Sequence, residues 1–284
     1  MFKTLRQFMQ PPAGLQVDFT QPARAPALAP AEGISWRVFA NPVSLFIGGV
    51  SAVLLELAQP SVRTGVWEHS SFRRDPAGRL HRTGYAAMVT VYAPEAQARA
   101  MIERVNQLHR RVQGQTPAGV PYAASDAPLL TWVQATAVFG FTQAYHCYVS
   151  ALSALEKDAA FAEGQVSARL YGATAAPATW QAWEELLQAT AADLEDSDIL
   201  AQFLDIMDQS ALLPRIARPL QRLLVRAAVS MTPAPVRAFA ALEGRGLRRG
   251  ERHLVRALAA IARWVPLGNL PPAQAAQRMG VALR

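Results

Sequence analysis

The sequence predicts an all-α fold, a single large helical domain behind an extended arm, on three observations. Apolar side chains recur at steps of three and four residues in segment after segment, the period of a helix with one buried face. Two long uncharged stretches, residues 38–55 and 127–155, exceed the length of ordinary strands. Only residues 89–92 and 166–171 have strand character, too little for a sheet-based fold. With 284 residues, 51% of them hydrophobic and 17% charged, the chain can bury a sizeable core and is not wholly disordered.

Residues 1–33 are interrupted by Pro11, Pro12, Pro22, Pro26 and Pro30 and read as an extended arm, either draped over the body or partly mobile. They lack the continuous apolar core of a secretory signal. Residues 34–284 form the domain. Asn41-Pro42 leads into a buried apolar helix whose adjacent Gly48 and Gly49 suit close approach of a second helix or of a flat ligand. Glu56, at its end, argues against a membrane span. Gln59-Pro60 breaks the helix, and Asp75-Pro76-Ala77-Gly78 reads as a turn. Arg79, Arg82 and Thr83 follow at i, i+3 and i+4, one face if helical. That face is either a solvated basic surface or a polar cluster over a bound cofactor, Thr83 supplying a hydroxyl.

Residues 94–114 predict the next helix, with Pro94 at its start, Glu95 in the first turn and Gly114 and Pro117 as its stop. A Gly- and Pro-rich loop runs to Asp126, an N-cap with Pro128 behind it. Residues 127–155 carry no formal charge, yet Gln134, Thr136, Thr142, Gln143, His146, Ser150 and Ser153 make them one or two central buried helices rather than a lipid-facing span. His146 reads as a hydrogen-bonded core histidine. A more polar helix begins at Glu156 and ends at Tyr171-Gly172. After a linker, Thr179 opens another with Trp180, Trp183, Leu186 and Leu187 inward. From Ile199 onward come several Arg-laced amphipathic helices separated by Pro214, Pro219, Pro233, Pro235 and Pro266.

Ala98, Ile102, Val105, His109 and Val112 form one stripe of the helix over residues 94–114, so His109 points inward on an otherwise strongly charged element. Two readings are open. A core histidine needs one hydrogen bond to be tolerated. A metal ligand is a neutral imidazole in an apolar pocket, the arrangement that holds haem iron. Cys147, the single cysteine, excludes an intrachain disulfide and a multi-cysteine metal site. His69 and His81 stand near Glu68 and Asp75, without the ligand repeat of a metal cluster. There is no G-x-G-x-x-G after a strand, no Walker A loop, no H-E-x-x-H and no G-x-S-x-G, which counts against dehydrogenase, kinase, zinc-enzyme and hydrolase chemistry.

The net charge of +7 is unevenly placed. Residues 215–284 hold 13 Arg against Glu243 and Glu251, whereas residues 157–208 hold 10 acidic residues against Lys157 and Arg169. Without aromatic interleaving or a nucleic-acid module, the basic part predicts internal complementarity or a docking face for a partner or an anionic membrane, and no nucleic-acid partner. The expected location is cytoplasmic, with peripheral membrane association through the Arg-rich part as a further expectation.

Four segments then stand in order: LLELAQPSVRTGVWEHSSFRRDPAGRLHRT (54–83), LHRRVQG (108–114), YAASDAPLLTWVQAT (122–136), and LEKDAAFAEGQ (155–165) ahead of LYG (170–172). Together they resemble the family of MpaB-type oxygenases and latex-clearing rubber oxygenases, well over residues 39–192 and loosely in the tail, residues 193–284. The resemblance implies a globin-like helical core with additional C-terminal helices, and haem b with His109 as its axial iron ligand. Arg79, Arg82 and Thr83 look like the R-x-x-K-T motif of the rubber oxygenases, with Arg82 in place of lysine; a guanidinium does not deprotonate to ligate iron. Many relatives have histidine where this chain has Gln59 and Gln134. Glu68 is the nearest counterpart of the acidic residue proposed as base.

What the resemblance implies is a haem-dependent oxygenase or peroxygenase acting on an apolar organic substrate. His109 would be proximal, Arg79 and Arg82 would meet propionates or act as distal polar groups, and Thr83 would donate a distal hydrogen bond. Gln59, Gln134 and Arg82 leave open a non-catalytic haem carrier or sensor. A chain without haem would instead be a helical binding module docking through its basic face.

Overall fold

The computed structural model describes residues 16–210, 214–264, 268 and 270–282. Among the described residues are 13 α-helices, three short 3-10 turns and one two-stranded hairpin, so the all-α expectation holds. The order is α1 (Ile34–Phe39), α2 (Pro42–Ala58), α3 (Pro60–His69), α4 (Pro76–Tyr92), α5 (Glu95–His109), β1 (Gln113–Gln115), β2 (Pro121–Ala123), α6 (Ala127–Tyr148), α7 (Ala154–Tyr171), α8 (Trp180–Thr190), α9 (Asp198–Gln209), α10 (Arg218–Met231), α11 (Ala234–Arg237), α12 (Glu251–Arg263) and α13 (Pro271–Met279).

The two uncharged stretches become the central pair, α2 and α6, which run antiparallel. Leu54, Leu55 and Leu57 of α2 pack in one core with Trp132, Ala135 and Phe139 of α6. Burial of each such large side chain stabilises by about 1.5–3 kcal/mol. Trp132 Nε1 donates to the Leu55 carbonyl at 3.1 Å, satisfying the one polar atom of that ring. Helices α9, α10 and α12 cover one side of α2, and Tyr148 of α6 donates to the Ala227 carbonyl of α10 at 2.9 Å.

The two adjacent glycines of α2 serve different ends. A Cβ on Gly48 would sit 2.7 Å from Phe141 Cα and 2.8 Å from the Gly140 carbonyl oxygen, so this glycine permits the helix crossing. A Cβ on Gly49 would meet only Phe141 Cε1 at 3.8 Å. Gly48→Ala is therefore expected to destabilise the fold by about 1–3 kcal/mol through overpacking. Gly49→Ala is expected to be neutral or stabilising by up to about 1 kcal/mol through helix propensity. Urea unfolding of the two variants side by side checks the contrast, and equal losses would refute it.

Most starts follow the local signals. Asn41 Oδ1 accepts from Val43 N–H at 3.0 Å, and Ser153 with Glu156 forms a reciprocal capping box at the start of α7. Thr179 caps α8, and Gly172, at φ 95°, ends α7. Gln59-Pro60 turns the chain by 110° between α2 and α3. No single helix among the described residues is long and apolar enough to cross a membrane.

Several expectations need correction. The helix predicted over residues 94–114 stops at His109, and Gly114 lies in β1 opposite Tyr122 rather than serving as the stop. The predicted loop folds back as a hairpin because Tyr122 packs its ring against Gly114 and Gly65, where a larger residue would collide. Asp75 is a helix cap rather than a free turn: its Oδ1 accepts from Gly78 N–H at 2.9 Å and starts α4. Pro219 and Pro235 sit in the first turns of α10 and α11, where a missing N–H costs nothing, instead of separating helices. Pro266 lies outside the described residues. The strand-like residues 89–92 and 166–171 are helical.

The described part of the arm, residues 16–33, is draped over the body; residues 1–15 lie outside the described residues. Phe19 and Ala29 are buried against α4 and α13. Buried Arg278 of α13 fastens it, donating to the carbonyls of Phe19, Ala25 and Tyr92 at 2.8, 2.9 and 2.8 Å.

Candidate functional site

Two helices place titratable side chains within electrostatic reach of Arg79, one turn into α4: Glu56 near the end of α2 and His109 at the end of α5. The Arg79 cation acts on both others, opposing protonation of His109 and favouring ionisation of Glu56. Burial is the first cause at each position. It pushes the Glu56 carboxyl up to about 7 despite the pull of Arg79. It holds the Arg79 guanidinium below its ordinary value, with Glu56 opposing that shift and Arg82 adding to it. It also lowers the His109 imidazole, with Arg79 second, so His109 is neutral at neutral pH.

His109 Nδ1 is enclosed without a hydrogen-bond partner, and no hydrogen bond to either ring nitrogen forms among the described residues. A core histidine would have one. His146 shows the contrast: its Nδ1 accepts from Leu152 N–H at 2.9 Å, as expected for a core residue. One turn before His109, Asn106 donates to the Leu170 carbonyl at 2.8 Å while its enclosed Oδ1 has no partner among the described residues.

On α4, Arg79 and Thr83 share a face as the spacing predicts. An Arg79 Nη donates to Thr83 Oγ1, which in turn donates to the Arg79 carbonyl at 3.0 Å. Arg82 is directed elsewhere, to Ser71 Oγ at 2.7 Å and Asp75 Oδ2 at 3.5 Å. Two turns beyond Thr83, Thr90 Oγ1 lies 3.3 Å from the Tyr171 hydroxyl, whose ionisation burial pushes up. A Cβ on Gly84 would meet nothing within 4 Å. On α2 the half-buried residues Phe46, Gly49, Val53 and Glu56 form one stripe of an otherwise largely buried helix. These helices therefore present open space beside Gly84, a mostly apolar half-buried stripe on α2 and one imidazole nitrogen without a partner among the described residues.

Glu68 is not gathered with this group. It is exposed on α3 and acts on Tyr122, whose phenol is raised first by burial and then by that carboxylate. Gln59 caps α3 by accepting from Val62 N–H at 2.9 Å, and Gln134 is half-buried on α6. Glu56 was missed as a functional residue, although a lone carboxylate ending an apolar run was its available signal. No group of three His, Cys, Asp or Glu able to hold a metal ion occurs among the described residues.

Compared with known proteins, residues 36–264 match the family model described as ER-bound oxygenase mpaB/B'/Rubber oxygenase, catalytic domain. No curated protein and no solved structure matches the chain. The match runs from α1 to the residue after α12, so it takes in Glu56, Arg79 and His109 together with much of the Arg-rich part. The chain belongs to the mpaB/rubber oxygenase catalytic-domain family.

Proposed function

We propose that this oxygenase-family chain is a haem-dependent oxygenase acting on an apolar organic substrate, with His109 as the protein's ligand to haem iron. The observation that carries the reading is the neutral imidazole of His109, without a hydrogen-bond partner among the described residues and within electrostatic reach of the Arg79 cation. A single imidazole suits a metal delivered inside a macrocycle, which would supply the other donors itself. Haem b, when bound, supplies the oxygen or peroxide activation. The side chains do the rest. Arg79 offers a cation to a propionate or to developing negative charge, held in place by Thr83. Phe46 and Val53, half-buried on α2, would supply apolar surface to the substrate. Glu56, poised near neutrality, can accept a proton from substrate.

Titration of the purified full-length protein with hemin, followed by absorbance before and after dithionite, tests this. One equivalent giving a Soret band that shifts on reduction is the expected result, followed by oxygen or peroxide consumption with an apolar alkene. A protein that takes up no hemin would end the haem reading. Haem uptake without turnover on any oxidant would leave a carrier.

A further inference from the structure

We propose that the outer face of α12 docks on an anionic lipid bilayer, its apolar stripe entering the interfacial layer. Leu254, Ala257, Ile261 and the C-cap Trp264 recur at steps of three, four and three, so they share one face of this helix. All four are exposed, Leu254 at 58%, Ile261 at 52% and Trp264 at 87%. The core-facing side is already filled: Val255, Ala259 and Ala262 are buried in one cluster with α2 and α10, and Asn41 donates to the Ala259 carbonyl at 3.0 Å. Packing therefore gives no reason for a second apolar stripe turned to solvent, and such a stripe marks an interaction surface.

Arg252, Arg256 and Arg263, spaced four and seven residues apart, form one cationic flank of the same helix, and all three are exposed. Arg256 is fixed by donating to the Cys147 carbonyl of α6 at 3.0 Å. Arg252 and Arg263 form no ion pair among the described residues. Lys157, at the start of α7, acts on Cys147 together with Arg252 and Arg256, so the positive charge extends onto a second element. No acidic residue follows Glu251 in the chain, and Glu251 itself is engaged by Arg226 at 2.9 and 2.6 Å. The flank is therefore not neutralised from its own helix.

Large apolar side chains on one face and arginines beside them are what a helix lying on a membrane surface needs. The apolar face enters between headgroups, while long guanidinium side chains reach the lipid phosphates from the flank. Trp264, at the end of the stripe, is the kind of ring that settles at headgroup level. Charge decides between the occupants. A second copy would bring two faces of the same sign together, whereas an anionic leaflet attracts this one. The assignment does not rest on the haem reading, because α12 carries none of Glu56, Arg79 and His109.

Cosedimentation of the full-length protein with phosphatidylglycerol–phosphatidylcholine vesicles, beside vesicles of phosphatidylcholine alone, tests the proposal. Binding to the anionic vesicles, weakened by salt, is the expected result. Leu254→Ser/Ile261→Ser/Trp264→Ser should weaken it by about tenfold or more. Arg252→Gln/Arg263→Gln should remove most of the preference for anionic over neutral vesicles. Both variants change exposed positions, so their thermal unfolding should match wild type. Val120→Ser, at a position 53% exposed in the hairpin that precedes the far end of α6, should bind as wild type does. Brominated phosphatidylglycerol should quench part of the tryptophan fluorescence, and Trp264→Phe should lose that part while still pelleting. Equal binding to neutral and anionic vesicles, or binding unmoved by the triple variant, would overturn the proposal. So would no pelleting at all, which would leave the face to an acidic protein, or self-association dispersed by the triple variant, which would give it to a second copy.

Discussion

His109→Leu is expected to abolish haem binding and to make the apo protein more stable. The wild-type imidazole has an enclosed nitrogen with no partner among the described residues, a state that costs about 1–3 kcal/mol of folding free energy. Leucine removes the orphaned atom and adds apolar surface at a half-buried position, so the apo variant should gain about 1–2 kcal/mol. At this chain length that is a rise in Tm of roughly 2–4 °C per kcal/mol. Burial and the Arg79 cation also depress the imidazole's basicity below its ordinary 6.5. The unfolded chain then binds the extra proton first, so wild-type stability falls as pH drops below about 6.5, and the gain in the leucine variant widens. Hemin affinity should fall by about 100-fold or more, judged against the 10- to 100-fold cost of losing even an indirect support. His109→Gly with added imidazole separates loss of the ligand from damage to the fold, since exogenous imidazole should restore the Soret band. A leucine variant that is less stable than wild type and still binds hemin would show His109 to be a core residue.

The helical architecture was legible because its signals are local and repeated. Asn41, Ser153, Thr179 and Gly172 announce their helix ends whatever surrounds them. The hairpin was not, since its cause is Tyr122 seated against Gly65 on another element, a contact invisible along the chain. The same division holds at the site. His109 stood out as a polar residue on an apolar stripe, and Arg79 with Thr83 as neighbours on one helical face. Which of the two arginines turns inward depended on Ser71 and Asp75, which engage Arg82 from outside α4. Glu56 read as a stop to an apolar run because its significance comes from Arg79, 23 positions later in the chain. Glu68, the carboxylate nearest in the motif, acts on Tyr122 of the hairpin instead.

Glu56→Gln is the substitution whose consequences for stability and for chemistry have opposite signs. Burial raises the carboxyl from an ordinary 4.5 to about 7, so between those values the folded chain holds a proton that the unfolded chain has released. The protonated folded form is favoured below pH 4.5, and that stabilisation is lost as pH rises through about 7. The total is about 3 kcal/mol. Glutamine has no proton to lose. The variant should therefore match wild type in acid and exceed it by about 3 kcal/mol above pH 7, as read by urea unfolding of the apo proteins across that range. On the oxygenase reading, wild-type turnover should rise with pH through about 7 as the carboxylate becomes able to accept a proton. The glutamine variant should bind hemin normally yet lose about 10²- to 10⁴-fold in turnover, the usual worth of a positioned base. Normal turnover with an unchanged pH profile in the glutamine variant would remove Glu56 from the chemistry. The stability difference would then stand alone as the cost of a carboxylate buried beside Arg79.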